Sequence, residues 1–517
     1  MKYTRPIVLL AGVAFLRIGQ VAGFPQTRFP ASPSLKADAG VAAAQVPSNA
    51  ISQITCRNTF IWIGTGKGAA RSSDGGRTFA SYRGVPQFPR PEIYAMDVKG
   101  DTIWCATGFV EETQLAGNVQ TGTGYAYSFD NGATWHSAPQ PLDASADSLV
   151  PYGQYHIHFL PIVVPEQNVT FRIALTDSAV WVASWSSGLR KSTDNGATWH
   201  RTVLPSDSLS GIAPGDSLTG YVIDPRQNNN FLVFSVFAET PSIVWAGSAG
   251  GVNRSSDGGV SWTRFTATNE LEHLLANWVI AIRGQRFGGH TRVWTANWPA
   301  SSSTESYSVS FTDDSGKTWK NSLVGVKAYD FAFKDSIVYV AADQGLFRSS
   351  DGGISWTTSG SIVDPLSGNV ITSTSFFAVG VVADSVYGGN ADGFVKTIDN
   401  GTHLFGAAWD VFRANQPVNS PSSTYSYPNP FSPRHNVVRF HYNTGATPAT
   451  VTLEVFDFGM HRVRTLLRDA SRSGPQERDE VWDGRDDAGA LVVNGVYFYR
   501  VTVNGRDPVW GKVMVLQ

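Results

Sequence analysis

The chain has 517 residues, 42% of them apolar and 16% charged, with a formal net charge of -2. That length has room for more than one domain, and the near-neutral charge without a long basic run argues against a nucleic-acid partner, which needs a positive stripe against phosphates. The 51 glycines, 16 tryptophans, 17 tyrosines and 29 phenylalanines point to β-structure with many tight turns.

In chain order, Lys2 and Arg5 precede the apolar run Pro6–Leu16, and Val21, Ala22 and Gly23 follow it. This reads as an export signal over residues 1–23, followed by a linker over 24–47. The run is too short for a membrane span, so none is expected in the mature protein. The two cysteines, Cys56 and Cys105, sit in apolar strand-like runs, which leaves buried thiols and a disulfide both open.

From residue 48 to 416 one short pattern returns. It reads RSSDGGRTF at Asp74, YSFDNGATW at Asp130, KSTDNGATW at Asp194 and RSSDGGVSW at Asp257. It continues as SFTDDSGKTW at Asp314, RSSDGGISW at Asp351 and a degraded KTIDNGTHL at Asp399, which lacks the closing Trp. Alternating apolar runs such as AVWVAS and IVYVAA precede each copy, so every unit supplies three short strands, an Asp-Gly or Asn-Gly turn and a fourth strand. Four antiparallel strands repeated seven times predict a seven-bladed β-propeller. A helical solenoid is excluded by the lack of sustained 3.6-residue periodicity.

These residues resemble the Asp-box, or BNR repeat, of propellers of the sialidase, family-74 xyloglucanase, sortilin and photosystem-assembly-factor kinds. The resemblance implies an all-β seven-bladed propeller over 48–416. Each turn offers one carboxylate beside Gly or Asn, whereas a calcium loop of the EF-hand type needs alternating oxygens and a closing Glu. Asp74, Asp130, Asp194, Asp257, Asp314, Asp351 and Asp399 are therefore read as structural turn residues, and no metal or other cofactor is expected.

If those turns mark one face, the remaining connections mark the other. They are long over 108–124, 136–168, 204–230, 265–276 and 298–306, and short in the last two units, so a site is expected on the loop face of units two to five. Trp185 and Trp298 each stand four residues past a strand Trp (Trp181, Trp294), and Phe109 is in the equivalent region of unit two. Tyr152, Tyr155, His156 and His158 lie in PYGQYHIHF. Such aromatics suit sugar rings or a peptide, or else pack the loops onto the blades. His156 and His158 alternate on one strand face, and no third metal ligand accompanies them.

Glu111, Glu112, Asp343 and Asp392 are the weaker catalytic candidates, since glycoside hydrolysis needs two facing carboxyls about 5–10 Å apart. A sialidase resemblance implies an Arg triad and an FRIP-like motif before the first box. Here FRIA at 171–174 follows the second box and is read as an inner strand. The expectation is a non-catalytic binding or scaffold module for a glycan or protein, and the competing expectation is a secreted glycoside hydrolase.

Residues 417–430 form a Pro/Ser-rich linker, and alternating strands over 431–517 predict a small β-sandwich. YPNPFSP, VFDFGMHRV, WDGRDDAG and NGVYFYR resemble the FlgD-type immunoglobulin-like domain and the C-terminal sorting domains of the type IX secretion system. That resemblance implies contact with this machinery, and secretion to the outside or outer surface of a Gram-negative cell. The acidic cluster Asp483, Asp486 and Asp487 reads as a solvated turn or a calcium site.

Overall fold

The computed structural model describes residues 46–113, 117–267, 272–300, 304–366, 369–414, 423–427, 429–434, 437–473 and 476–517. The expected export signal and nearly all of the first linker lie outside these residues. Apart from one 3-10 turn at Asn229–Phe231, every regular element described is a strand. No helix among them is long and apolar enough to cross a membrane. The chain divides into two compact units, the first ending at Ala414 and the second running to Gln517.

The first unit is a β-propeller. Its inner strands are Ile51–Arg57, Ile93–Lys99, Thr170–Leu175, Val233–Ala238, Trp278–Phe287, Ala328–Lys334 and Phe376–Val382. Each opens an antiparallel sheet of four strands in chain order, called here sheets one to seven, and sheet four gains a fifth strand. Each inner strand neighbours the inner strand of the next sheet, and that of sheet seven returns to sheet one. Ala414 closes the ring by donating its N–H to Asn49 Oδ1 at 2.8 Å.

The Asp-box turns explain how the sheets keep their spacing. In sheet two, Asp130 accepts the Ser128 hydroxyl at 2.7 Å, the Thr134 N–H at 2.8 Å and the Thr134 hydroxyl at 2.6 Å. Ser128 Oγ in turn accepts the Gly132 N–H at 2.8 Å. The carboxylate thus replaces water for turn amides that no strand can satisfy. The turn glycine then presses on the aromatic ring of the preceding sheet. At Gly196 (φ +82°) an added Cβ would stand 2.8 Å from the Trp104 ring, and at Gly259 (φ +93°) 2.5 Å from the Trp181 ring. Only glycine allows both the left-handed backbone and that approach.

Asp399 departs from this pattern. It is buried, and its carboxylate accepts Arg348 Nε at 2.5 Å and the Tyr339 hydroxyl, both from sheet six. The box glycine of sheet seven is instead Gly406, whose N–H reaches Thr397 Oγ1, and the Trp thought lost is Trp409, three residues on. Five more residues separate Asp399 from its box glycine than the regular box has, and the carboxylate ties sheet seven to sheet six instead of capping its own turn.

The long connections between sheets two, three and four also fold differently from the expected rim loops. Leu149–Tyr152 and Tyr155–Phe159 form a hairpin, and Val222–Ile223 joins it in parallel, making a separate three-stranded sheet from two distant insertions. Gly211–Ile212 is the fifth strand of sheet four. Ile157, Phe159, Ile212, Leu218 and Ile223 share one core with Trp181, Val203 and Trp262, so these insertions cover the flank of sheets three and four.

The second unit has two sheets, Thr424–Tyr427 with Val438–Asn443 and Glu477–Trp482, and Ala449–Phe456 with Arg462–Arg472, Gly495–Val503 and Val509–Val515. Alternate residues of both meet in one core around Phe440, Tyr499, Trp482 and Val451, with Phe440 stacked on Tyr499 at 4.1 Å. Asp483, Asp486 and Asp487 accept the N–H groups of Arg485, Ala490 and Thr465.

Candidate functional site at the mouth of the ring

Every inner strand of the propeller carries a β-bulge near its start, just inside the first ladder pair or, in sheet five, the second. The bulged residues are Ser52, Tyr94, Phe171, Phe234, Ile280, Tyr329 and Phe377. A bulge bends the strand and re-aims one side chain. Repeated around the ring, it delivers one residue per sheet to the face opposite the Asp boxes.

Five of these join an aromatic arc. Phe171 and Phe234 have centroids 5.9 Å apart, Phe234 lies 5.0 Å from Trp185 and 5.6 Å from Trp278, and Trp185 lies 6.1 Å from Trp278. Trp278 and Ile280 pack against a cluster of Trp298, Tyr329 and Phe377, in which Tyr329 is 5.4 Å from each of the other two rings. Trp185 and Trp298, linked in the sequence by their offset, are thus brought into one arc over sheets three to seven. Trp298 is a wall rather than an open platform: it is 6% exposed and donates its indole N–H to the Ala328 carbonyl at 2.8 Å.

Beneath the arc the axis is crossed by buried polar groups. Arg172 donates to Gln53 Oε1 at 3.0 Å and to Asp330 Oδ1 at 3.4 Å, while Arg283 reaches the same Asp330 oxygen at 3.1 Å. Gln53 Nε2 donates to the Tyr94 carbonyl. Burial, with Arg283 close by, lowers the Arg172 pKa to about 10. Asp97, held by the Leu175 N–H at 2.8 Å, is raised by burial. The aromatic mouth therefore has a charged floor. The FRIA motif supplies its Arg172, which was read only as part of a strand.

The remaining candidates separate. Phe109 lies under Arg90, 4.7 Å from the guanidinium carbon, on a long hairpin of Thr102–Thr113 and Gly117–Ser128 that replaces the loop expected at 108–124. Glu111 pairs with Val119 on that hairpin. Glu112 holds the next register position opposite Asn118, and its side chain is outside the described residues. Tyr152 is buried and donates to the Val260 carbonyl at 2.7 Å, inside the Asp-box turn of sheet four. The hairpin bearing Tyr155, His156 and His158 therefore belongs to the flank and the Asp-box side, not to the mouth. Both histidines are exposed, and among the described residues no group of three His, Cys, Asp or Glu is arranged to hold a metal ion.

Asp343 and Asp392 do stand on mouth turns, in sheets six and seven. Asp392 is committed: Arg413 Nη2 lies 2.8 Å away, and Thr372 donates its N–H at 2.7 Å and its hydroxyl at 3.0 Å. Asp343 keeps its carboxylate out of every hydrogen bond and ion pair among the described residues, with one oxygen buried. Lys327 stands beside it, its Nζ 4.2 Å from the Trp298 ring centroid, 5.7 Å from Tyr329 and 6.0 Å from Tyr307. Lys327, Tyr307, Tyr329 and Trp278 were not foreseen from the sequence. The signal for Trp278 and Tyr329 is an aromatic residue recurring at the start of the inner strands, as in NWVIAI, KAYDFAF and SFFAVG, while Lys327 and Tyr307 carry no such signal.

Against known proteins, residues 126–137 match the BNR/Asp-box repeat, the turn built around Asp130. No curated protein matches the chain. Among solved structures it is similar to PorZ, a surface component of the type-IX secretion system of Porphyromonas gingivalis, at 12% identity and TM-score 0.36, covering 90% of this chain and 66% of PorZ. It is also similar to YCF48 from Cyanidioschyzon merolae (16%, TM-score 0.42, 69% of this chain and 98% of that one) and to an ancestral GH74 enzyme (13%, TM-score 0.31, 92% and 72%). The chain contains a BNR/Asp-box repeat, and its own strand topology is that of a β-propeller followed in the chain by a second all-β unit.

Proposed function

We propose that this is an exported, non-catalytic binding protein: a seven-bladed propeller that takes a glycan or protein ligand at its aromatic mouth, followed by an immunoglobulin-like module for sorting or anchoring. The observation that carries the reading is the arc from Phe171 to Phe377, built by a bulge repeated in every sheet. Aromatic rings around a concave face offer large contact area at little entropic cost. On this reading the site lies over sheets three to seven rather than over units two to five.

The competing hydrolase reading has less support at this mouth. Of its two candidate carboxyls there, Asp392 is already engaged by Arg413 and Thr372. Export and sorting rest on the N-terminal run and the tail motifs YPNPFSP, WDGRDDAG and NGVYFYR. The test is a combined array of polysaccharides and peptides probed with the purified chain and scored for binding and product release. Binding lost on Trp185→Ala or Trp278→Ala without product release supports the reading. Product release abolished by Asp343→Asn transfers the site to the hydrolases.

A further inference from the structure

We infer that the notch formed by Lys327, Asp343, Tyr307, Tyr329 and Trp298 is a subsite for a neutral pyranose ring, which places a glycan rather than a protein at the mouth. The inference rests on the mouth being a binding site and goes on to name what binds there.

Four polar heads line this notch without a protein hydrogen-bond partner among the described residues, and one of them, Asp343 Oδ1, is also cut off from solvent. Among the described residues, neither the Lys327 ammonium, the Asp343 carboxylate nor the hydroxyls of Tyr307 and Tyr329 is in a hydrogen bond or ion pair. The geometry nevertheless holds them together: the Asp343 N–H donates to the Lys327 carbonyl at 3.0 Å, and the ammonium stands over three rings. The matching turn of sheet seven shows the contrast, since Asp392 there has an arginine and a threonine as partners. A half-buried charge without such partners is costly, and a ligand that supplies them recovers the cost.

The chemistry of the heads selects the ligand. The ammonium only donates, the carboxylate only accepts, and the phenols do both. A pair of adjacent sugar hydroxyls meets this set, each accepting from one group and donating to another. The C–H face of the same ring covers aromatic carbon of the half-buried Tyr307, with Trp298 and Tyr329 as the buried wall behind it. One positive and one negative group leave the notch without net charge, so it favours neither an anionic nor a cationic ligand. Burial lowers the Lys327 pKa while Asp343 opposes that shift, as expected for an ammonium stripped of water and lacking a close counter-ion.

The experiment is calorimetric titration of the full chain with neutral hexasaccharides of glucose, mannose and galactose, and a galacturonic acid hexamer as the charged control. At least one neutral hexasaccharide binds. Asp343→Asn and Lys327→Met each weaken it by about tenfold or more, and Tyr307→Phe, which removes only a hydroxyl and cannot unfold the sheet, weakens it measurably. Tyr155→Phe, on the flank, leaves it unchanged. If the sugar binds and is lost with Trp185→Ala but ignores the three notch substitutions, the mouth stands as a binding site and the notch assignment falls. Tighter binding of the galacturonate hexamer overturns the neutral class. If no hexasaccharide binds, the subsite is overturned, and a peptide retained on the array through Trp185 would then show that the mouth takes protein.

Discussion

Arg172 and Asp330 are 158 residues apart in the chain and come from sheets three and six, yet they meet across the axis of the ring at 3.4 Å. Arg283 of sheet five shares the same carboxylate oxygen at 3.1 Å. Three sheets therefore depend on one anion. Asp330→Ala leaves two guanidinium groups without it, one of them fully buried, and is expected to cost about 3–5 kcal/mol in urea unfolding. Arg172→Met leaves the Arg283–Asp330 pair in place and should cost clearly less. Equal losses for the two variants would show that the anion is not shared as described.

The degraded seventh repeat yields the opposite of what its sequence suggests. Asp351, in the most regular repeat, caps a solvent-facing turn, whereas Asp399 is a buried acceptor for Arg348 and Tyr339. Asp399→Ala should cost about 3 kcal/mol, because it strands a partly buried arginine and a buried phenol. Asp351→Ala should lower the melting temperature less. Differential scanning fluorimetry on the two variants decides the order, and a greater loss at Asp351 would refute it.

What the sequence disclosed was local. Period-two alternation, the Asp-Gly turns and their hydroxyl neighbours depend on residues within about ten positions of each other, and these are legible in the sequence itself. The pairings that shape the site were not. His158 lies beside Val222 only because two insertions share a flank, and Tyr152 reaches Val260 only because sheet four stands next to it. The placement of Trp185 and Trp298 on the same face was visible in their equal offset, but Trp278, which joins them, follows no box and belongs to an inner strand. One further signal is the placement of Asp97, Arg172, Arg283 and Asp330 as charges within largely apolar inner strands. A buried charge there must find a partner, and here each finds it on another inner strand of the ring.

The Asp-box carboxylates set an acid limit. The Thr134 hydroxyl and N–H and the Ser128 hydroxyl hold Asp130 at about 2, and the Thr198 and Ser192 groups do the same for Asp194, against an ordinary value of 3.8. A pKa depressed by folding gives stability that is complete above the ordinary value and is lost as pH falls toward the folded value. These turns should therefore lose their contribution between about pH 4 and pH 2. Asp97, raised by burial, works in the other direction above 3.8 and does not account for an acid loss. Melting temperatures from pH 5 down to pH 2 should fall steeply for the native chain, and less for an Asp130→Asn, Asp194→Asn double variant. Parallel profiles would exclude the turns as the source.

Cys105 is buried in the core between sheets one and two, Cys56 is half-buried against the core between sheets seven and one, and both are free thiols. Burial pushes Cys56 up to about 12, only partly offset by a hydrogen bond to the Val381 backbone, and burial alone raises Cys105 as well. Since the thiolate is the reactive species, neither should titrate with a thiol reagent at neutral pH while the propeller is folded. Both should react fully in guanidinium, without prior reduction. An oxidising compartment does not alter this expectation, because the two side chains occupy separate cores and a bridge would need the sheets to open. Finding fewer than two thiols in the unreduced, unfolded chain would mean that a disulfide forms and that the cores of sheets one and two exchange partners during folding.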